Sequence, residues 1–250
     1  PKTTRTVVTR KEVTLQDNQL DVVLIVDDSN SMLPDNQKLA AKLQSFVSDL
    51  SASGFDWQMC VTVTRAQQLS SSDPNLYWGA SRNWIGNSGS TPWILKSGTA
   101  NLQSIFTNTI NDIGAGWVGT DDERGIKAAW WHLWNGDINY SGNSGCYRKD
   151  AGLSVIIISD EDERSVGGDF MQQFYFGEYK PLDEDDLPIH YYDEVRTIFG
   201  PTKRFNVNSI IVRPGDYACM QSRDAAGSKS HYGYKYDELS KLTTGATANI

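Results

Sequence analysis

Residues 22–32 read VVLIVDDSNSM. Val22 to Val26 is an unbroken apolar run, the mark of a strand buried on both faces of a sheet. Asp27, Asp28, Ser29, Asn30 and Ser31 then fall just past its carboxyl end. In a parallel α/β sheet that is where ligands bind, at the point where the strand order reverses. Two carboxylates followed by two hydroxyls in such a turn suit either phosphate chemistry or a divalent cation. The rest of the chain has to supply the missing parts of one or the other.

Working outward, a second apolar run, Leu153 to Ile158, ends in Ser159-Asp160. Further strands are expected at residues 55–64 and 205–212, with a short edge strand at 93–96 and another at 6–15. Between them the apolar residues take helical spacing. Leu39, Leu43, Phe46, Val47 and Leu50 form one stripe, started by Pro34-Asp35. Leu102, Ile105, Phe106 and Ile110 form the next, and Ile126, Ala129, Trp130 and Leu133 a third. This third helix is expected to start at Thr120, where TDDE resembles a capping box. Two more helices are expected at 189–199, before Gly200-Pro201, and at 234–242.

Strands alternating with helices imply an α/β fold of Rossmann-like, doubly wound form, its mostly parallel central sheet flanked by helices. The expected organisation is an N-terminal extension at 1–20 and a single domain at 21–250, with long loop insertions at about 66–98 and 161–188. Asp27 and Asp160, at the ends of the two most apolar strands, would face one another across the crevice.

Composition excludes several function classes. Among 250 residues there is no apolar run near the roughly 18 that a membrane span needs. The net charge is −8 with no basic cluster, which argues against nucleic acid and against an anionic lipid surface. Cys60, Cys146 and Cys219 are widely spaced and show no metal pattern. One disulfide with one buried thiol fits a secreted protein, and three thiols fit the cytosol. Cys146 and Cys219 lie in loop-like stretches and Cys60 in a strand, so the pairing stays open. His132, His190 and His231 show no zinc spacing and read as ordinary core or surface residues.

Phosphate chemistry fails on specific residues. A phospho-accepting receiver domain needs an Asp at the end of its third strand and a Lys at the end of its fifth, and neither is present. A haloacid-dehalogenase-type phosphatase needs Asp-x-Asp after the first strand, where position 29 is Ser. The metal reading finds its parts: Asp27-x-Ser29-x-Ser31, then Gly119-Thr120-Asp121 before a helix, then Ile158-Ser159-Asp160 at a strand end. With these three motifs in this order, the chain resembles a von Willebrand factor A domain over roughly residues 20–245. The stretch GCYRKDAGLSVIIISDEDE and the later YDELSKLTTG also look like secreted or surface A domains of Gram-negative bacteria.

The resemblance implies a metal-ion-dependent adhesion site. Asp27, Ser29, Ser31, Thr120 and Asp160 would hold Mg²⁺, or Mn²⁺ or Ca²⁺. A hard cation takes oxygen ligands, and Mg²⁺ keeps several waters rather than a full protein cage. A last position would then go to a carboxylate on a partner, a protein or glycan ligand at a cell surface. Asn30, Trp117 and Glu161 stand next to the motifs as candidate ligand-binding residues. Trp78 and Trp84, in Ser/Asn/Gly-rich sequence, resemble the aromatic anchors of binding loops, with packing back over the sheet edge as an equal alternative. A secreted or cell-surface adhesin without enzymatic activity is the function implied, with no nucleic acid and no direct membrane insertion. An intracellular scaffold subunit or a Mg²⁺-dependent hydrolase are the alternatives.

Plainer roles stand beside these. Ser29, Ser31 and Thr120 could simply cap helices. Asp28 is expected to point to solvent, and the acidic runs 161–163 and 182–186 to be solvated loops. Trp130 and Trp134 are expected in or near the core.

Overall fold

The structure, a computed structural model, describes residues 18–65, 78–113, 123–137, 145–165, 182–225 and 230–250. The edge strand expected at 6–15 lies outside them. The elements in order are β1 (Gln19–Val26), α1 (Leu33–Ala52), β2 (Asp56–Val63), β3 (Leu95–Lys96), α2 (Leu102–Ile113), α3 (Gly125–Asp137), β4 (Gly152–Ile158), α4 (Pro188–Phe199), β5 (Phe205–Ile211), α5 (Tyr217–Ala225), α6 (Tyr234–Leu242) and β6 (Thr247–Asn249). They build a six-stranded sheet of order β3-β2-β1-β4-β5-β6. Its pairs are parallel except β2–β3. The α/β class is therefore as the alternation of strands and helices implies.

Helices cover both faces, and this explains the unbroken apolar run Val22 to Val26 of β1. Val22, Leu24 and Val26 enter one core, with Leu39 and Val47 of α1 and Phe106 and Ile110 of α2. Val23 and Ile25 enter the other, with Ile126 and Leu133 of α3, Tyr191 and Val195 of α4, and Tyr236 and Leu239 of α6. Where the strand faces both cores, at Val22 to Val26, every side chain is apolar; Asp21, nearer its start, is buried on Arg148. The order reverses between β1 and β4, and Val26 pairs with Val63 on one side and Ile158 on the other. The three central strands thus end level, and the polar residues after them share one rim.

The acidic run at 161–163 is not a solvated loop. Asp162 and Glu163 are fully buried. Glu163 accepts the backbone N–H groups of Ile126 and Lys127 at 2.8 and 3.0 Å, and Asp162 accepts that of Lys235 at 2.8 Å. Each carboxylate thereby sits at a helix N-terminus, on orphan donors and the positive end of the dipole. So α3 is held at its start by Glu163; the TDDE box expected there lies largely outside the described residues. The run at 182–186 is likewise structured: Asp183 and Asp186 form a capping box on a 3-10 turn, paired with Arg124, Lys127 and Arg164.

Two points that the sequence left open are fixed in the structure. The disulfide joins Cys60 of β2 to Cys146, with the Cα atoms 6.0 Å apart, and leaves Cys219 as a thiol. The segment 78–94, the described end of the expected first insertion, is packed rather than free. Arg82 donates its N–H to the Val61 carbonyl at 2.8 Å, and the Trp84 indole donates to the Met59 carbonyl at 3.2 Å.

Candidate metal centre

Asp27 continues β1 by one residue, its N–H bonding the Ile158 carbonyl at 2.9 Å, and Ser159 does the same to Ile210 at 3.1 Å. These ladder bonds carry both polar turns past the sheet at the reversal point. Asp27 and Asp160 are fully buried, and Ser29 nearly so. One carboxylate oxygen of Asp27 accepts the Ser29 N–H at 2.8 Å, and the other accepts the Ser159 hydroxyl at 2.5 Å. The Ser31 hydroxyl donates to Asp160 Oδ1 at 3.0 Å and lies 2.8 Å from that of Ser29. With the Ser31 proton committed to Asp160, Ser29 is the donor in the second bond.

The turn thus settles what the two serines do. A 3-10 turn, Asn30–Met32, precedes α1, with Ser29 as its N-cap residue. Ser29 makes no side-chain cap to it, and α1 has no side-chain cap either. Both hydroxyls turn instead toward one another and toward a carboxylate on a neighbouring strand. Asp27, Ser29, Ser31 and Asp160, 133 residues apart at the extremes of sequence, meet in one hydrogen-bonded chain.

No known family profile and no curated protein matches the sequence. Among solved structures the chain is similar to proximal thread matrix protein 1 of the mussel byssus, at 14% identity and a TM-score of 0.35. The likeness covers 91% of this chain and 47% of that one, so the chain spans about half the length of that protein.

Burial sets the electrostatics of the rim. It pushes the Asp27 carboxyl up to about 6, and, with the charge of Asp27 beside it, Asp160 up to about 6 as well. For Asp160, burial and the neighbouring Asp27 charge outweigh the Arg223 guanidinium that pairs with it. The donor set is all oxygen, hydroxyl and carboxylate, which suits Mg²⁺, Mn²⁺ or Ca²⁺ and not a soft metal. The residues present therefore fit a hard divalent cation. Both Asp27 oxygens accept bonds, as do both of Asp160, so a cation held by Ser29, Ser31 and Asp160 would take the place of the Ser31–Asp160 hydrogen bond, with Asp27 acting through the hydroxyls beside it.

A residue that the sequence pattern did not reveal joins the site. Arg223 of α5 donates to Asp160 Oδ2 at 2.7 Å and to Asp35 of α1 at 2.5 Å. The guanidinium leaves the Ser31-facing oxygen of Asp160 free of a second cation. It ties α5, α1 and the end of β4 together.

Of the other candidates, Thr120 and Trp117 lie outside the described residues. Asn30 is exposed at the mouth of the turn. Glu161 is half-buried, with its carboxylate 3.5 Å from His231 Nε2. Asp28 corrects the expectation of a solvated side chain: it is 2% exposed and bonds Arg65 at 2.5 Å, with Arg82 at 3.7 Å. Trp84 is also corrected. It is 1% exposed and packs on Phe106 in the core, so it offers no surface to a partner. Trp78 is half-buried beneath Arg124 and Lys127, whose charges lie 5.4 and 5.7 Å from its ring centre.

Proposed function

We propose that the chain is a von Willebrand factor A-type domain that binds an acidic group of a partner through a divalent cation. Asp27, Ser29, Ser31 and Asp160 would hold the ion, with Thr120 as a further donor. The observation that carries this reading is that neither serine hydroxyl caps the helix start: Ser29 bonds Ser31, and Ser31 bonds Asp160. A capping role would have left them on backbone N–H groups. The position of the turn, at the reversal of a parallel sheet, supports the same reading.

When bound, Mg²⁺ or Mn²⁺ would supply an electrophile with a coordination position open to a carboxylate oxygen. Ser29 and Ser31 would give it neutral oxygens. Asp160, half-neutralised by Arg223, and Asp27, engaged by Ser159, would give it little net negative charge. The site would keep an appetite for one more anionic ligand. Asn30, exposed on the turn, would meet the partner's rim. The Cys60–Cys146 disulfide favours an oxidising compartment, and hence a secreted or cell-surface protein over an intracellular scaffold.

Calorimetric titration of chelator-stripped protein with Mg²⁺ and Mn²⁺ tests the proposal. Single-site binding is expected in the wild type and is lost in Asp27→Ala. Ser31→Ala, which removes one hydroxyl without a buried charge, guards against a variant that merely misfolds; it should bind at least tenfold more weakly. No binding to folded wild-type protein would overturn the reading.

A further inference from the structure

Away from this site, α3 carries an unusual surface. Trp130, Trp131 and Trp134 cluster on it. Trp131 stands edge-on to the other two at centroid distances of 5.1 and 5.5 Å, and Trp134 remains 37% exposed. Trp134 sits at the edge of the core, stacked on Trp130. Between this aromatic face and α4 lies a cleft of about 420 Å³ that includes Trp130, Trp131, Glu184, Asp193 and Glu194 in its walls. It shares no residue with the metal centre.

The walls combine two properties. The Trp131 indole N–H donates to Asp185 at 2.8 Å, which fixes the ring. Asp185 in turn is paired with Lys127 at 3.1 Å. The remaining carboxylates, Glu184, Asp193 and Glu194, have no ion pair or side-chain hydrogen bond among the described residues. Three uncompensated anions thus stand around two indoles whose faces are themselves negative.

An anion is excluded by that charge. A metal ion gains no ligand from indole. A neutral sugar could stack on the rings but does not call for three free carboxylates. A cation with an organic body satisfies both: its charge meets the carboxylates and the ring faces, and its carbon chain meets the indoles. We propose that the α3–α4 cleft binds a hydrogen-bonding organic cation, an alkylammonium or guanidinium group. A free amine and a basic side chain of a peptide share this chemistry. The net charge of −8 adds long-range attraction for either.

The test follows the indole N–H resonances of the full chain by NMR in excess chelator, which makes it independent of the metal centre. N-acetyl-lysinamide and N-acetyl-argininamide should shift the Trp130 and Trp131 signals saturably, and the shifts should weaken with salt. The neutral isostere N-acetyl-norleucinamide and maltotriose should not. Asp193→Asn combined with Glu194→Gln removes two partnerless surface charges without touching the core, and should weaken binding at least tenfold. Putrescine against a Lys-Gly-Lys peptide then separates the sources: the tighter of the two identifies a free amine or a basic chain. The proposal is overturned by the absence of saturable shifts with both cations, by equal binding of norleucinamide or maltotriose, or by a double variant that binds as the wild type does.

Discussion

Asp160 is shared between two partners of different kinds. Ser31 holds one oxygen and Arg223 the other. Arg223 is the only guanidinium or ammonium group paired with Asp160 among the described residues, so it compensates a charge that burial would otherwise expel. Removing one partner of a buried pair typically costs about 3–5 kcal/mol, because the other is left uncompensated. Arg223→Met should therefore lower the melting temperature in chelator. It should also tighten Mg²⁺ binding, since the ion becomes the only cation facing two carboxylates. Thermal melts with and without Mg²⁺ check both, and a larger Mg²⁺-induced rise in the variant than in the wild type is the expected signature. A variant that melts like the wild type would show that the pair is not felt. Nothing in the sequence pointed to Arg223: its partner lies 63 residues away, and short arginine-containing helices are common. Asp27, Ser29, Ser31 and Asp160 were legible, because a buried strand followed at once by polar residues marks a sheet rim.

At the scale of elements, what the sequence made readable were those with strong periodicity. β1 and β4 are largely apolar and β5 alternates, with Val207, Ser209 and Ile211 buried; α1, α2, α4 and α6 have stripes that meet a core. α5 escaped notice for a physical reason: YACMQSRDA has no apolar face, and its buried residue is Arg223. The segment 78–94 was open to two readings for another reason. Its Ser, Asn and Gly suggest solvent, yet its backbone bonds to the sheet bury Trp84. The disulfide strengthens the same region by joining β2 to the chain beyond α3 across 86 residues. Cross-linking so long a loop stabilises by about 4 kcal/mol on chain-entropy grounds, with native strain subtracting from it. Replacing both cysteines, Cys60→Ser with Cys146→Ser, should lower unfolding free energy by about 2–4 kcal/mol in urea titration. A loss under about 1 kcal/mol would mean that the packing of Trp84 and Leu95 already fixes this edge of the sheet.

Across the whole molecule, buried carboxyls gather where the central strands end and where α3 and α6 begin. Burial raises Asp27 and Asp160 to about 6, Asp162 to about 7, and Glu163 well above the ordinary range. Unfolded, such groups titrate near about 4. Between about 4 and 7 the folded state therefore holds more protons than the unfolded state, and stability falls as pH rises through that window. His132 opposes this: burial lowers it to about 3, so it favours the folded state as pH rises toward its unfolded value near about 6.5. Asp21, Asp28 and Asp186 are raised as well, while Asp183 and Asp216 are lowered, so the raised carboxyls outweigh His132 and leave a net fall in melting temperature from pH 4.5 to 7 in chelator. Asp160→Asn keeps His132 and removes one carboxyl, so the difference between its profile and that of the wild type isolates the metal site and should be a shallower fall. A divalent cation bound at the rim reverses the sign there, because it favours the ionised carboxylates. At 100 times its dissociation constant it adds about 2.7 kcal/mol, or roughly 5–10 °C for a domain of this size. That rise should be present at pH 7.5 and nearly absent at pH 4.5, where proton and cation compete for Asp27 and Asp160. A Mg²⁺ effect of equal size at both pH values would place the ion somewhere other than these two carboxylates.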